Sequence, residues 1–260
     1  MSVIPVVHRS ATTRAALRRG LRRRGTRVLA CRSVEQVAGL LHREVVDAVV
    51  VDVRAGHAAA TFRLIGLYPG IPVFALSAFR PGDGATLLAC RRAGVRGILI
   101  EGVDDVAGAE LVAARTAGRR RRSALRDAPP LLRLTEPLQV RTWEEVLLRV
   151  GTPVRTTDIA SAFGLTREHL SREFAAGGAP NLKRVIDLAR ISCAADLLTN
   201  PGYDVATVSR VLRYASASHL ARSARRIAGV APLELARLGV RQILLRFVKG
   251  RTRSRVEGWW

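Results

Sequence analysis

Five short apolar runs divide the first hundred residues at regular intervals. They are rich in Val and Ile with little polar alternation, which is typical of strands buried on both faces of a parallel sheet. The runs are SVIPVV (2–7), RVLAC (27–31), DAVVVDV (47–53), IPVFALS (71–77) and GILI (97–100). Between them, apolar residues recur every three or four positions, as in amphipathic helices. This alternation predicts a doubly wound, five-stranded parallel sheet over residues 1–118, built from right-handed crossovers.

The chain changes character after residue 118. A basic stretch with four consecutive arginines and the pair Pro129-Pro130 occupies residues 119–137, and we interpret it as a linker because a double proline interrupts a helix. Only helical patterns follow over residues 138–238, and a basic tail with an apolar face covers 239–260. The sequence therefore predicts two domains, the first α/β and the second all-α, and 260 residues are sufficient for both.

The charge balance of the chain favours anionic partners. The formal charge is +22, from 43 Lys and Arg against 21 Asp and Glu. A positive field of this size attracts polyanions such as double-stranded DNA. A mutational bias toward arginine would produce the same surplus, so charge alone does not identify the partner.

The sequence lacks the usual marks of an enzyme, a metal protein or a membrane protein. It has no Walker loop, GxGxxG or GxSxG motif, and its three scattered cysteines have neither disulfide nor zinc spacing. No apolar stretch approaches the ~20 residues of a membrane span. We therefore expect a cytoplasmic protein that is not an enzyme and has no catalytic residues, cofactor, metal or membrane contact.

One outline occurs twice in the helical region. LTREHLSREF, beginning at Leu165, is repeated about fifty residues later as SHLARSARRIAG, and each follows a shorter helical segment and a tight turn. The pattern predicts two helix-turn-helix units. A helix over Leu182–Leu198 lies between them and would be about 25 Å long at 1.5 Å per residue. With its flanking turns, it would separate the units by close to one turn of DNA, about 34 Å.

Local signals place the ends of these helices. Thr142, Thr166 and Asn181 are predicted N-caps, because their side-chain oxygens can accept from free backbone N–H groups. Gly164 can adopt the left-handed conformation of the first turn. Pro201-Gly202 is expected to stop the central helix.

The segment from Trp143 to Arg237 resembles the DNA-binding domain of the AraC/XylS family of transcription regulators. The resemblance is carried by IASAFGLTREHLSREF, LARISCAADLLTN and SHLARSARRIAGVAP, in that order and spacing. It implies a bipartite helix-turn-helix domain whose second helices enter major grooves. The chain departs from the family pattern at Arg213, where a glycine is usual, and at Leu220 and Ala224, where aromatic residues are usual.

The polar residues of the two second helices are our candidate DNA contacts. Arg can read guanine in bidentate fashion, Ser and Thr can contact phosphates or bases, and Glu can accept from cytosine. The candidates are Thr166, Arg167, Glu168, His169 and Arg172 in the first unit, and Ser216, Ser218, His219, Arg222, Arg225 and Arg226 in the second.

Residues 2–115 resemble the receiver domain of two-component response regulators, which implies a flavodoxin-like fold. Asp52 ends the third strand, where such domains carry the phospho-accepting aspartate, and Ser77 ends the fourth, at the position of the sensing hydroxyl. The acidic pair that holds Mg²⁺ is replaced by His8 and Arg9, and the fifth-strand lysine is replaced by Glu101. Without the metal and the lysine, phosphoryl transfer to Asp52 is disfavoured.

Three roles of this domain remain open: a pseudo-receiver used for dimerisation or partner contact, a small-ligand sensor, and a phosphorylated receiver. In the pseudo-receiver case, we expect Arg9 to pair with Asp52.

We expect a sequence-specific transcription regulator that binds double-stranded DNA through two recognition helices. Homodimerisation through the N-terminal domain and contact with RNA polymerase or another regulator are the further partners considered. The alternative is a protein-interaction module or a nonspecific DNA-coating protein. The tail could pack on the DNA-binding domain, contact phosphates, or dock on a partner through Trp259 and Trp260.

Overall fold

A computed structural model describes residues 2–22, 26–104, 107–151 and 154–253. The chain divides into two units: residues 1–120 together with 200–204, and residues 121–199 together with 205–260. Within the described residues, no helix is long and apolar enough to cross a membrane.

The N-terminal unit is built on a five-stranded parallel sheet, which confirms the predicted fold. Its strands are β1 (Ser2–Val7), β2 (Thr26–Cys31), β3 (Val49–Val51), β4 (Val73–Ser77) and β5 (Gly97–Ile100). Their order is β2-β1-β3-β4-β5, the flavodoxin-like order that the receiver resemblance implies. β3 is shorter than the apolar run that predicted it, because the chain turns into a helical segment at Val53. The Asp52 side chain accepts from the Arg54 N–H at the start of that segment.

Helices cover both faces of this sheet. They are α1 (Ala11–Arg22), α2 (Val34–Leu41), α3 (Ala58–Leu67), α4 (Gly84–Ala93) and α5 (Ala107–Ala114). α1 packs against α5, while α3 packs against both α2 and α4. The core under α1 and α5 contains Ile4, Val6, Leu17, Phe74 and Val112, all of them fully buried or nearly so.

The stretch predicted as a linker is folded in large part. It contains the end of α6 (Ala117–Ala124) and all of α7 (Ala128–Leu131), in which the two prolines occupy the first turn. A proline is tolerated there because the first N–H groups of a helix have no intrahelical acceptor. Leu125, Ala128 and Leu132 are buried at a helix-like spacing that the surrounding charges conceal in the sequence.

The C-terminal unit is all-helical, as predicted. Its helices are α8 (Pro137–Arg149), α9 (Thr156–Ala162), α10 (Arg167–Ala175), α11 (Leu182–Leu198), α12 (Val205–Val211), α13 (Ala217–Ala228) and α14 (Pro232–Arg253). α14 is interrupted at Gly239, where φ is 70° and ψ is 165°.

Thr142 is not an N-cap, so that prediction was wrong. α8 begins five residues earlier at Pro137, whose fixed φ suits the first helical position. The Gln139 side-chain oxygen accepts from the Glu136 N–H at 3.1 Å and thereby satisfies the backbone at this end. Thr142 lies inside the helix and is fully buried.

The central helix α11 is buried around most of its circumference. Leu188, Ile191 and Ala194 are fully buried, and Ile186 and Cys193 on other sides of the helix are buried as well. α14 contributes to this burial by packing along α11 through Ile243 and Phe247. The tail therefore packs on the helical unit as far as Phe247, while Trp259 and Trp260 lie outside the described residues.

Candidate nucleic-acid interface

The first helix-turn-helix unit consists of α9 and α10. Gly164 in the turn has a φ of 66°, in the left-handed region that glycine adopts without a steric cost. Thr166 then caps α10, because its Oγ1 accepts from the His169 N–H at 3.2 Å. Leu170 and Phe174 are fully buried, so they fix which face of α10 is turned inward.

The opposite face of α10 is exposed and carries the candidate contacts. Arg167, Glu168 and Arg172 are all exposed. Arg167 Nε lies 3.0 Å from Glu168 Oε1, and Arg172 donates to His169 Nδ1 at 3.1 Å. The backbone N–H of Glu168 and, after it, the Arg167 guanidinium lower the pKa of the Glu168 carboxyl. Glu168 is therefore an anion that partly offsets the positive charge of this surface.

The second unit consists of α12 and α13, and its turn differs from the first in length and in one residue. Five residues separate α12 from α13, whereas four separate α9 from α10. The position that corresponds to Gly164 is Arg213, and its φ is 56°. The left-handed geometry that the family resemblance implies is therefore present with a non-glycine residue. Ser216 caps α13 as Thr166 caps α10, since its Oγ accepts from the His219 N–H at 3.1 Å.

Arg190 of α11 contacts the residues of this second turn and stabilises it. Its guanidinium donates to the Leu212 carbonyl at 2.8 Å and lies 4.0 Å from the centre of the Tyr214 ring. Tyr214 also meets the His219 ring edge to face, with 5.4 Å between centroids. Burial raises the pKa of Tyr214, so this phenol stays neutral.

The candidates on α13 fall into two groups. Ser218, Arg222 and Arg225 are exposed on the face opposite Leu220 and Ala224, which are fully buried. Arg226 lies toward the flank, where it donates to Asp187 Oδ2 of α11 at 2.7 Å. The first group is available to a ligand, whereas Arg226 already holds a partner within the protein.

The two second helices carry the same types of residue at equivalent positions counted from their caps. Each has a hydroxyl cap, a histidine three positions later whose N–H binds that cap, then a buried leucine, and an exposed arginine two positions after the leucine. These residues are Thr166, His169, Leu170 and Arg172 in α10, and Ser216, His219, Leu220 and Arg222 in α13. The repeat read in the sequence is thus a repeat of side-chain positions on two exposed helix faces.

The sequence interpretation missed Gln139, which fixes the far end of α10. This buried amide donates from Nε2 toward the carbonyls of Phe174 at 3.0 Å and Ala176 at 3.1 Å. α8 is thereby joined to the C-terminal end of α10. A glutamine three residues after Glu136 is compatible with a helix start, but nothing in the sequence indicates its second partner.

In the N-terminal unit, Asp52 and Ser77 are brought together as predicted. Ser77 Oγ donates to Asp52 Oδ1 at 2.7 Å, and the Arg54 N–H donates to the same oxygen at 3.1 Å. The expected pair between Arg9 and Asp52 is absent from the described residues. Arg9 is exposed, and its carbonyl accepts from Arg14 instead.

Glu101 is bound by other side chains of this unit. It accepts from Thr13 Oγ1 at 2.9 Å, and its Oε1 lies 3.7 Å from Nε2 of the buried His8. No group of three potential metal ligands occurs among the described residues. The side chains around Asp52 therefore do not fit the Mg²⁺ that the receiver resemblance implies.

Comparison with family models agrees with the prediction for the helical region. A family model described as a helix-turn-helix domain matches residues 159–237, and this part of the chain is an AraC-type helix-turn-helix domain. Among curated proteins, no significant sequence match is found.

Solved structures of response regulators are similar to the chain at low identity. One from Thermotoga maritima is 24% identical over 44% of this chain and 95% of its own, with a TM-score of 0.39. A response regulator protein from Burkholderia pseudomallei is 20% identical over 66% and 98%, with a TM-score of 0.38. Full-length FixJ from B. japonicum is 17% identical over 86% and 96%, with a TM-score of 0.39.

Proposed function

We propose that the protein is a sequence-specific transcription regulator that places α10 and α13 in adjacent major grooves of double-stranded DNA. The observation that carries this proposal is the shared register of the two helices, each presenting a hydroxyl cap, a histidine and an arginine on an exposed face. A second helix of this kind reads base edges with its N-terminal residues. α11, about 25 Å long, supplies the rigid spacing between the two units.

The proposed contacts follow from the exposure of each candidate. Arg172 and Arg222 occupy equivalent positions at the centre of the exposed faces, where a guanidinium reaches guanine O6 and N7 or a phosphate. Thr166 and Ser216 lie at the helix N-termini, where backbone N–H groups favour phosphate. We assign Arg226 to structural support, because it is bound to Asp187. It is not a proposed DNA contact unless DNA displaces that pair.

A titration of labelled DNA tests this proposal. Fragments selected from genomic DNA are titrated at two salt concentrations, with unlabelled competitor. We expect a fraction that binds selectively at both concentrations, and we expect Arg172→Ala and Arg222→Ala each to reduce selectivity by roughly 1–3 kcal/mol. Arg91→Ala removes an equally exposed charge from α4 and serves as the control. Binding governed by salt alone, with all three variants alike, would instead identify a nonspecific DNA-coating protein.

The N-terminal unit is proposed to act as a pseudo-receiver that mediates homodimerisation. Apolar side chains are exposed along the edge of the sheet formed by β5 and its neighbours: Leu88 is 57% exposed, Ile98 40%, Ile100 43% and Val103 75%. Exposed apolar side chains at a sheet edge favour an interface. RNA polymerase or another regulator is the other partner that such a surface would accept.

Sedimentation equilibrium of Val103→Glu tests this surface. We expect the variant to dissociate at concentrations at which the unaltered protein is dimeric, while Leu233→Glu, at a residue 68% exposed in α14, leaves the assembly unchanged. If the unaltered protein is monomeric at tens of micromolar, the homodimer is rejected.

Phosphorylation is tested directly by mass. We expect no adduct when the protein is incubated with a small phosphodonor and Mg²⁺, because Asp52 lacks the acidic neighbours that would hold the metal. A stable adduct at Asp52, measured on the intact protein, would restore the receiver function.

A further inference from the structure

A cavity of about 360 Å³ opens at the carboxyl ends of three adjacent strands in the N-terminal unit. Val7, Cys31 and Asp52 mark the positions where β1, β2 and β3 end there. The polar side chains that line it are His8, Arg9, Arg14, Arg32, Asp52 and His57. It holds three arginines, two histidines and one carboxylate, so its charge is positive at neutral pH.

The position of this cavity favours a ligand on topological grounds. In open α/β sheets, ligands bind beyond the carboxyl ends of the strands where the strand order reverses, and β1 and β3 flank that point in this sheet. The N-termini of α1 and α2 lie on the same side, since each follows one of these strands. Their dipoles add positive potential at the cavity.

Existing hydrogen bonds occupy Asp52 and Arg14 but leave the guanidinium groups of Arg9 and Arg32 available. Asp52 Oδ1 already accepts from Ser77 and from the Arg54 N–H. The Arg14 guanidinium donates to the carbonyls of His8 and Arg9 and so shapes the loop after β1. Arg9 and Arg32 are exposed, and within the described residues neither forms an ion pair.

We propose that this cavity binds a small molecule that carries a phosphate group. Guanidinium groups match phosphate oxygens in bidentate geometry, and three of them around one opening are suited to a dianion. The volume lies at the lower end of the range for ligand pockets, ~300–1,000 Å³, which leaves room beside the phosphate for a small organic group. This role goes beyond DNA binding, and it replaces covalent phosphorylation of the unit with reversible occupancy.

The five histidines of the chain give a readout that separates this cavity from the DNA-binding surface. His8 and His57 line the cavity, whereas His169 and His219 lie on α10 and α13. We would titrate the full-length protein with inorganic phosphate and, separately, with ribose 5-phosphate, at constant pH and ionic strength. The imidazole signals are followed by NMR.

We expect saturable shifts of the His8 and His57 signals. Tighter binding of ribose 5-phosphate would show that the organic group contributes, and equal binding would show that the phosphate group suffices; both results support the site. Arg32→Gln should weaken binding by about tenfold, the loss expected for one charged hydrogen-bond donor. Arg91→Gln, on the exposed surface of α4, should leave it unchanged.

Asp52→Asn should change the affinity for phosphate in the opposite direction from Arg32→Gln. Removing the single carboxylate of the cavity should strengthen phosphate binding, because a like charge is lost. The proposal is overturned if neither probe shifts His8 and His57 saturably, if only His169 and His219 respond, or if Arg32→Gln binds as tightly as the unaltered protein.

Discussion

The Arg226 guanidinium donates to the Asp187 carboxylate across 2.7 Å and so joins the second recognition helix to the central helix. Asp187 is 8% exposed, while the Arg226 side chain remains 54% exposed. The pair is therefore anchored on the side of α11 and orients α13 from outside. This ion pair explains why residue 226 is an arginine, and the explanation requires no contact with DNA.

Breaking this pair should destabilise the helical unit. We expect Asp187→Ala to lower the free energy of unfolding by about 1–2 kcal/mol, below the range for a fully buried pair because Arg226 is half solvated. Chemical denaturation of the single variants and of Asp187→Ala with Arg226→Ala gives the coupling energy. Arg225→Ala, one residue away and exposed, is the control. Additive effects in the double variant would show that the pair contributes nothing.

Replacing Arg213 by glycine should stabilise the protein. Arg213 has a φ of 56°, and a side chain in this region costs about 1 kcal/mol relative to glycine. We expect Arg213→Gly to raise the free energy of unfolding by roughly this amount, measured by chemical denaturation, whereas Arg213→Ala stays near the unaltered value. Equal behaviour of the two variants would mean that the charge of Arg213, and not its backbone, sets the effect.

Removal of the Gln139 amide should weaken the attachment of the first recognition helix. Gln139→Leu keeps the volume but leaves the carbonyls of Phe174 and Ala176 without their buried donor. The expected loss is about 2–3 kcal/mol, with faster hydrogen exchange at the Glu136 N–H. Gln36→Leu is the matched control, because Gln36 is exposed at the start of α2. A loss no greater than that of the control would contradict this role.

Two helical glycines should respond in opposite directions to alanine. A Cβ on Gly20 would lie 2.5 Å from the Ala109 Cβ, so Gly20→Ala must separate α1 from α5. A Cβ on Gly39 meets no atom within 4 Å. We expect Gly39→Ala to stabilise the protein by up to about 1 kcal/mol through helix propensity, and Gly20→Ala to destabilise it by about 1–3 kcal/mol through overpacking. Thermal denaturation of both variants measures the difference.

The thiols of Cys31 and Cys90 should react slowly in the folded protein. Burial raises the pKa of both groups, so the reactive thiolate is less populated at pH 8 than in a free cysteine, whose pKa is about 8.5. Reaction with a disulfide reagent should therefore be slow at pH 8, accelerate only at higher pH, and become fast after unfolding. Rapid modification of either residue in the native protein would show that it is accessible.

The sequence correctly predicted the features that depend on local patterns of residues. Apolar runs placed the five strands, and the caps at Thr166 and Asn181 and the turn at Gly164 were all correct, because each depends on neighbours within a few residues. The N-cap prediction at Thr142 was wrong because hydroxyl residues, which favour caps, are also accommodated inside helices. Pro137 was the stronger signal for the helix start.

Long-range contacts could not be predicted in the same way. Asp187 with Arg226, and Gln139 with the end of α10, join positions more than thirty residues apart, and polar side chains show no periodicity that indicates such a partner. The burial of Leu125 and Ala128 was concealed by the charged residues around them. The cationic cavity depends on the sheet order, which brings His8, Arg32 and Asp52 together only once β1 lies between β2 and β3.

Because Glu168 and Ser218 differ, a DNA site bound in the proposed way would have two distinguishable ends. The two residues hold equivalent places on α10 and α13, yet one is an anion and the other a neutral hydroxyl. A single chain spanning two grooves in the proposed way would prefer different bases in each, so its operator would be non-palindromic. Reversing that operator relative to a promoter would reverse the order in which α10 and α13 lie along the DNA.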